Sequence, residues 1–420
     1  MFKLLPNLPK TENDLLIESS LDELARLGAK KLIETALKLE VQEYVERASN
    51  WIDPKGHRMV VKNGTAKERS LTVGSGTIKI KAPRVNDKRL GVSFSSNILP
   101  RYIRKSPNLE TVIPILYLKG LSGNAFKDAL QALLGDGVQG LSSSSIATLK
   151  KSWEKEMIEW NSRKITEQFV YLWCDGVNVS IRLGEDKRAC LLVVIGVDHN
   201  GGKRLLAVQA GYKESEMGWK ELFSSLISRG LNSPKLIIGD GGLGLWAAIR
   251  GMEHFKTTRE QRCWLHKTLN VLDKLPKKRH HQAKDLLLQI KGASTKSDAA
   301  TALKVFKDVF EAKYPKAYQC IDKDWSKLST YFDFPALHWR SIKTSNPIES
   351  AFATVKLRTR VTKGAGNLRA AEVMAFKLLM ESEKRWQSIR GRDDIDKLLQ
   401  GAVYIDGELD IDSLNQQAVA

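Results

Sequence analysis

The sequence predicts an α/β protein built on a mixed sheet. Two apolar, β-rich runs, Phe169-Val170-Tyr171-Leu172-Trp173 and Lys235-Leu236-Ile237-Ile238, each lead into an acidic residue, Asp175 and Asp240. A third, Glu349, opens a helix within Ser345-Asn346-Pro347-Ile348-Glu349-Ser350. Buried sheets deliver side chains at strand ends to a cleft, so both aspartates are expected at such ends. Hard divalent cations take oxygen ligands, and an Asp, Asp, Glu set suits a two-metal phosphoryl-transfer centre.

Composition points to a polyanionic partner. The 420 residues hold 67 Lys and Arg against 48 Asp and Glu, a net charge of +19 and a pI near 9.6. Nucleic acid is the first candidate for such a chain. No apolar run approaches a bilayer span and no signal-peptide pattern opens the sequence, so a soluble, cytoplasmic protein without a membrane partner is expected. Cys174, Cys190, Cys263 and Cys320 show no paired spacing, which suits reduced thiols. Two or three domains are expected at this length.

The positive charge is not spread evenly along the N-terminal elements. Over residues 1–50, Leu21, Leu24, Leu32, Ile33, Ala36, Leu37, Val41, Tyr44 and Val45 recur at helical spacing, with a candidate break at Gly28. Residues 51–110 hold 13 Lys and Arg against 4 Asp and Glu, nearly half of the net charge. Within them Ser70–Val73 and Thr77–Lys81 flank Gly74-Ser75-Gly76, a hairpin signal, and a basic ribbon can lie against DNA. Lys79, Lys81, Arg84, Lys88, Arg89, Arg101, Arg104 and Lys105 are the candidate DNA contacts here. Over residues 111–165, a helical face of Phe126, Ala129, Leu130, Leu133 and Leu134, a turn from Gly135 to Gly140, and a helix from Leu141 through Trp153 outline a helix-turn-helix. Any helical hairpin shares that outline; Lys150 and Lys151 add cations to it.

Residues 166–268 read as the first part of an α/β core. After Asp175 come short runs at Asn178–Leu183, Ala189–Val197 and Arg204–Ala210, separated by turn signals such as Gly184-Glu185-Asp186-Lys187. Close spacing implies antiparallel neighbours, and a helix from about Ser215 to Ile227, ending at Gly230, carries the chain to a parallel strand at Lys235–Ile238. Three antiparallel strands, a helix and a parallel strand, with Asp on the first and fourth, is the ribonuclease H-like arrangement. Residues 269–340 read as a helical insertion and 341–390 as the last core helices. On these, Lys356, Arg358, Arg360 and Lys363 are placed to receive phosphates or to form a solvated face. Residues 391–420 form an acidic tail, with Asp393, Asp394, Asp396, Asp406, Glu408, Asp410 and Asp412, that is expected to add nothing to DNA binding.

Each acidic residue also has a plain structural reading. Asp-Gly is a common turn pair. Asn346 as N-cap, Pro347 at the first helical position and Glu349 at the third would make a capping box. Cys263 and His266 alone fall short of a four-ligand zinc site, and His280, His281 and Cys320 lie at no demanding spacing. A supporting or packing role and no zinc is the expectation.

From about Leu21 to Trp386 the chain resembles the Mutator-type transposases of bacterial insertion sequences, within the DDE transposase superfamily. The resemblance rests on Leu99-Pro100-Arg101-Tyr102, Leu116-Tyr117-Leu118-Lys119-Gly120, Val170–Gly176, Gln261-Arg262-Cys263-Trp264-Leu265-His266-Lys267 and Thr344–Ser350. It implies that Asp175, Asp240 and Glu349 are catalytic carboxylates, that Cys263 and His266 are a Cys/Asp-x-x-His motif, and that the helices between Asp240 and Glu349 are an insertion domain. The expected activity is cleavage at the element's terminal inverted repeats and joining of the 3′ ends to target DNA. Two Mg²⁺ ions are expected, with Mn²⁺ as a substitute, together with a homodimer or higher oligomer on DNA and location at the bacterial nucleoid when bound. A non-catalytic DNA-binding regulator and a nuclease without strand transfer remain as alternatives.

Overall fold

The computed structural model describes residues 20–118, 123–134, 143–183, 188–211 and 213–411. The expected turns at Gly135–Gly140 and Gly184–Lys187, and also Lys119, Gly120, Leu141, Ser142 and Asp412, lie outside the described residues. The chain divides into two compact units, residues 1–149 and 150–420.

In the first unit α1 spans Leu21–Arg47 without a break. Ser20 caps it by accepting from Glu23 N, and Asp22 and Glu23 oppose the helix dipole in the first turn. The break expected at Gly28 does not occur. A helical glycine costs only about 1 kcal/mol against alanine, and the surrounding Leu, Ala, Lys and Glu residues favour helix. Leu37 packs with Leu71, Ile78, Ile80 and Leu99, whereas Leu21 and Leu32 are exposed, so the apolar stripe is covered only toward its C-terminal half. Beside α1, β1 (Val60–Thr65), β2 (Arg69–Val73), β3 (Gly76–Ile80) and β4 (Pro83–Asp87) form two antiparallel pairs, β2 with β3 and β1 with β4. Val73 faces Gly76 across the expected hairpin, which leaves a two-residue turn at Gly74-Ser75. Helices α2 (Pro107–Leu118) and α3 (Gly123–Leu134) follow. The division between units falls inside α4 (Ser143–Ser162), which runs well beyond the Trp153 reached in the sequence reading.

The second unit is built on five strands: β5 (Phe169–Ser180), β6 (Arg188–Asp198), β7 (Lys203–Gly211), β8 (Leu236–Gly239) and β9 (Arg259–Arg262), in the order β7-β6-β5-β8-β9. The first three are antiparallel neighbours, and β8 and β9 run parallel to β5. The connection into β8 is α5 (Glu216–Ser228), capped by Ser215, and α6 (Leu243–Arg250) leads on to β9. Trp219, Leu222, Phe223, Leu245 and Trp246 from these helices pack on Leu172, Cys174, Leu192, Val194 and Ile237 of the sheet.

Between Asp175 and Asn178 the sequence suggests two separate runs; the structure has one. β5 pairs with β6 without interruption through Asp175↔Val193 and Val177↔Leu191. The long β6 ladder satisfies the backbone across Gly176, so the Asp-Gly pair forms no turn. Asp175 therefore lies inside a strand and not at its end.

After β9 the chain is helical: α7 (Trp264–Leu272), α8 (His280–Gly292), α9 (Lys296–Phe310) and α10 (Pro315–Asp322), then α11 (Asn346–Val361) and α12 (Leu368–Glu383). α11 packs on β5 and α12 on β7 and β6, while α4 joins α12 through Trp160 on Phe376 and the Arg369–Glu154 pair. The acidic segment is folded as far as it is described. It forms α13 (Arg392–Leu399) and the small hairpin β10 (Tyr404–Ile405) with β11 (Glu408–Leu409), with Ile395 and Tyr404 buried and Asp406 accepting from Lys296 N. No helix among the described residues is long and apolar enough to cross a membrane.

Candidate functional site

Parallel pairing of β5 and β8 brings the two aspartates together. Cys174 pairs with Gly239, and the residues that follow them in the chain are Asp175 and Asp240. β8 stops there while β5 continues, so Asp240 leaves the sheet beside Asp175. The plain reading holds in part at Asp240, whose Oδ1 accepts from Gly242 N at 2.8 Å in an Asx turn with Gly241 at φ +92°. Asp175 is only 6% exposed. Burial, and next the charge of Asp240, push its carboxyl up to about 7, although His266 and the Gly176 N–H pull against them.

Glu349 belongs to a second cluster. The capping box centred on Asn346 is not formed. The helix begins one residue earlier than that pattern requires, with Asn346 inside it and Ser345 at the N-cap position. Ser345 is fully buried, and its Oγ lies 2.7 Å from Glu349 Oε1, 3.2 Å from Cys263 Sγ and 3.4 Å from His266 Nδ1. Its backbone N–H also donates to Cys263 Sγ at 3.2 Å. Cys263 follows β9 directly, its N–H bonded to Gly239 O, and α7 then carries His266 to 3.6 Å from Glu349 Oε1. One ligand atom from each of Cys263, His266 and Glu349 lies within 4.8 Å of the other two.

Electrostatics bind this cluster to the first. The hydrogen bond with Cys263, then the negative charges of Cys263, Glu349 and Asp175, raise His266 to about 9 against the desolvation that opposes them. Burial alone would push the Cys263 thiol up, but hydrogen bonds from His266 and Ser345 outweigh it and the net shift is downward. His266 is thus a cation at neutral pH, beside Glu349 and close enough to Asp175 for each to feel the other's charge. His280 and His281 lie elsewhere, bonded to Leu275 O and Asp285.

One acidic residue at the centre escapes sequence reading. Glu214, between β7 and α5, feels Asp240 and receives Trp219 Nε1–H at 3.0 Å. Burial raises its carboxyl, Asp240 adds to the rise, and the Trp219 bond opposes both. It follows no apolar run and opens no repeated motif; its position before the Ser215 cap was the one available signal.

The basic candidates divide by environment. Lys79, Lys81, Arg84, Lys88, Arg101 and Arg104 are exposed in the first unit, and Lys105 is half-buried. Arg89 is engaged inside the protein, bonded to Asp87 at 2.7 Å and Tyr44 at 2.9 Å and lying over the Tyr44 and Trp51 rings. In the second unit Lys150, Lys151, Lys356, Arg360 and Lys363 are exposed, but Arg358 is only 3% exposed because it falls on the packed face of α11 with Ala351 and Val355. Arg358 therefore belongs to neither a phosphate-receiving nor a solvated face.

Residues 6–389 match the family described as Transposase, Mutator family. A transposase for insertion sequence element IS6120 of Mycolicibacterium smegmatis is 43% identical over 302 residues, covering 72% of this chain and 92% of that protein. One for insertion sequence element IST2 of Acidithiobacillus ferrooxidans is 42% identical over 282 residues, covering 67% and 95%. One for insertion sequence element IS256 in transposon Tn4001 of Staphylococcus aureus is 27% identical over 357 residues, covering 83% and 85%.

Proposed function

The chain belongs to the Mutator family of transposases, and on that premise we propose that it binds the terminal inverted repeats of an insertion sequence, cuts there, and joins the freed 3′ ends to target DNA. The observation that carries the proposal is the register of β5 and β8, which sets Asp175 beside Asp240. The strand order β7-β6-β5-β8-β9 supports a ribonuclease H-like core, with α7 to α10 as its helical insertion.

The donor set fits hard divalent cations, since Asp175, Asp240 and Glu349 offer anionic oxygens and Asp175 is buried against a like charge that a cation would relieve. These three would hold two Mg²⁺ or Mn²⁺ ions, which when bound supply Lewis-acid stabilisation of the attacking and departing oxygens. The chain itself does the positioning. The sheet fixes Asp175, the turn after β8 fixes Asp240 beside it, and Ser345 Oγ orients Glu349. His266, held protonated beside Cys263, presents a donor and a positive charge to a phosphate oxygen entering next to Glu349. DNA is held by the exposed cations of the first unit and by Lys356, Arg360 and Lys363 on and after α11, with two or more copies of the chain assembled on the two ends.

The test is strand cleavage of DNA carrying the element's own ends, with Mg²⁺, by the wild-type chain and by Asp175→Ala and Asp240→Ala. Loss of cleavage with retained DNA binding is expected of each variant. Cleavage by either variant would remove that residue from the centre.

A further inference from the structure

We infer that Glu214 is a fourth carboxylate of this centre and ligates the divalent cation held by Asp240. The inference rests on the metal reading above and deepens it. Glu214 is placed by two fixed supports. Its Oε1 accepts the indole N–H of Trp219, a fully buried side chain stacked on Phe223 in the core, and the next residue, Ser215, caps α5 by accepting from Gly218 N at 3.1 Å. A surface glutamate free to wander has neither.

Two glycines close to the aspartates in the chain, Gly176 and Gly242, leave room for this carboxylate. A β-carbon on Gly242 would lie 2.7 Å from Glu214 Oε1 and 3.3 Å from Asp240 Oδ1, and one on Gly176 would lie 3.0 Å from Glu214 Oε2. Oxygens of Glu214 and Asp240 thus border one small space, and the other Glu214 oxygen reaches the backbone that follows Asp175. Two carboxylates facing one space without a cation repel each other, and a shared divalent ion reverses that repulsion. The structural alternative is that Glu214 only anchors Trp219. Glutamine would serve that purpose as well, because its amide oxygen also accepts from an indole N–H.

That difference defines the test. Mn²⁺ and Mg²⁺ are titrated by calorimetry into the full chain and into Glu214→Gln, Asp240→Asn and Glu349→Gln, with cation-induced thermal shifts recorded on the same preparations. Glu214→Gln is expected to weaken Mn²⁺ binding about tenfold or more, as Asp240→Asn does, while leaving the metal-free melting temperature close to wild type. Glu214→Gln with wild-type Mn²⁺ affinity, beside a weakened Asp240→Asn, overturns the inference and leaves the metal reading standing. Wild-type affinity in all three variants, or no binding by the wild-type chain, overturns both. Should Glu214→Gln not fold, Glu214→Asp decides: it keeps the charge but shortens the reach by one methylene, and unchanged Mn²⁺ affinity there rejects the ligand role.

Discussion

Asp175 and Asp240 stand side by side because one register step separates them from the paired residues Cys174 and Gly239. One strand of the pair ends at that step and the other continues, so one aspartate is locked in the sheet and its neighbour sits in a turn. The arrangement places like charges together, with Asp175 almost fully buried. That is unfavourable to the fold and useful for holding a cation.

The metal-free protein should therefore lose stability as pH rises. The Asp175 carboxyl titrates at about 7 when folded, against about 3.9 in an unfolded chain, so between those values the folded state keeps a proton that the unfolded state has released. Stability declines from about pH 4 to about pH 7, by an amount on the order of 4 kcal/mol. His266, raised to about 9, acts in the same direction: its contribution is complete below about 6.5 and is lost as pH passes 9. Thermal unfolding without divalent ions should show a lower melting temperature at pH 8 than at pH 5, with a smaller gap in Asp175→Asn. A gap that ignores residue 175 would contradict the assigned shift.

Removing Ser345 Oγ should act through Glu349. Ser345→Ala deletes the 2.7 Å bond to Glu349 Oε1 and the longer Oγ contacts with Cys263 Sγ and His266 Nδ1, but keeps the backbone N–H that donates to Cys263 Sγ. The stability cost should be about 1 kcal/mol, and cleavage should fall about tenfold or more through loss of carboxylate orientation. Paired unfolding and cleavage assays check this. Normal cleavage with reduced stability would make Ser345 purely structural.

Cations of the first unit should separate into DNA contacts and internal supports. Replacing Lys79 and Lys81 together by Ala should weaken DNA binding and reduce the slope of log affinity against log salt by up to about 1 per cation. Arg89→Ala should instead lower the melting temperature and leave the salt slope unchanged, because its guanidinium is already held by Asp87 and Tyr44. Mobility shifts across a salt series, with a melting curve for each variant, distinguish the two classes.

Strand runs, the hairpin at Gly74-Ser75 and the helix from about Ser215 to Ile227 were legible because each depends on local signals, namely apolar β-rich runs, a glycine-rich turn and a glycine at the helix end. Readings failed where tertiary pairing overrode a local signal. Asp175-Gly176 has the composition of a turn, yet the β6 ladder draws it into a twelve-residue strand. Gly28 looks like a break but sits inside a long helix. Arg358 sits in a cationic run, but the face of α11 that packs on the sheet includes it. Glu214 was invisible for a related reason: its proximity to Asp240 is created by α5 and α6 folding back over the sheet, and no sequence spacing encodes that.

The account turns on whether Glu349 works as an anionic ligand or serves the helix start, and Glu349→Gln separates the two. Glutamine keeps the length of the side chain and an oxygen for Ser345, so the helix should persist and the metal-free melting temperature should stay close to wild type. It cannot supply an anionic oxygen to a hard cation. Mg²⁺-dependent strand cleavage at the element's terminal repeats, measured on one preparation with DNA binding and thermal unfolding, should disappear while the other two persist. Cleavage by Glu349→Gln at the wild-type rate would contradict the proposed centre.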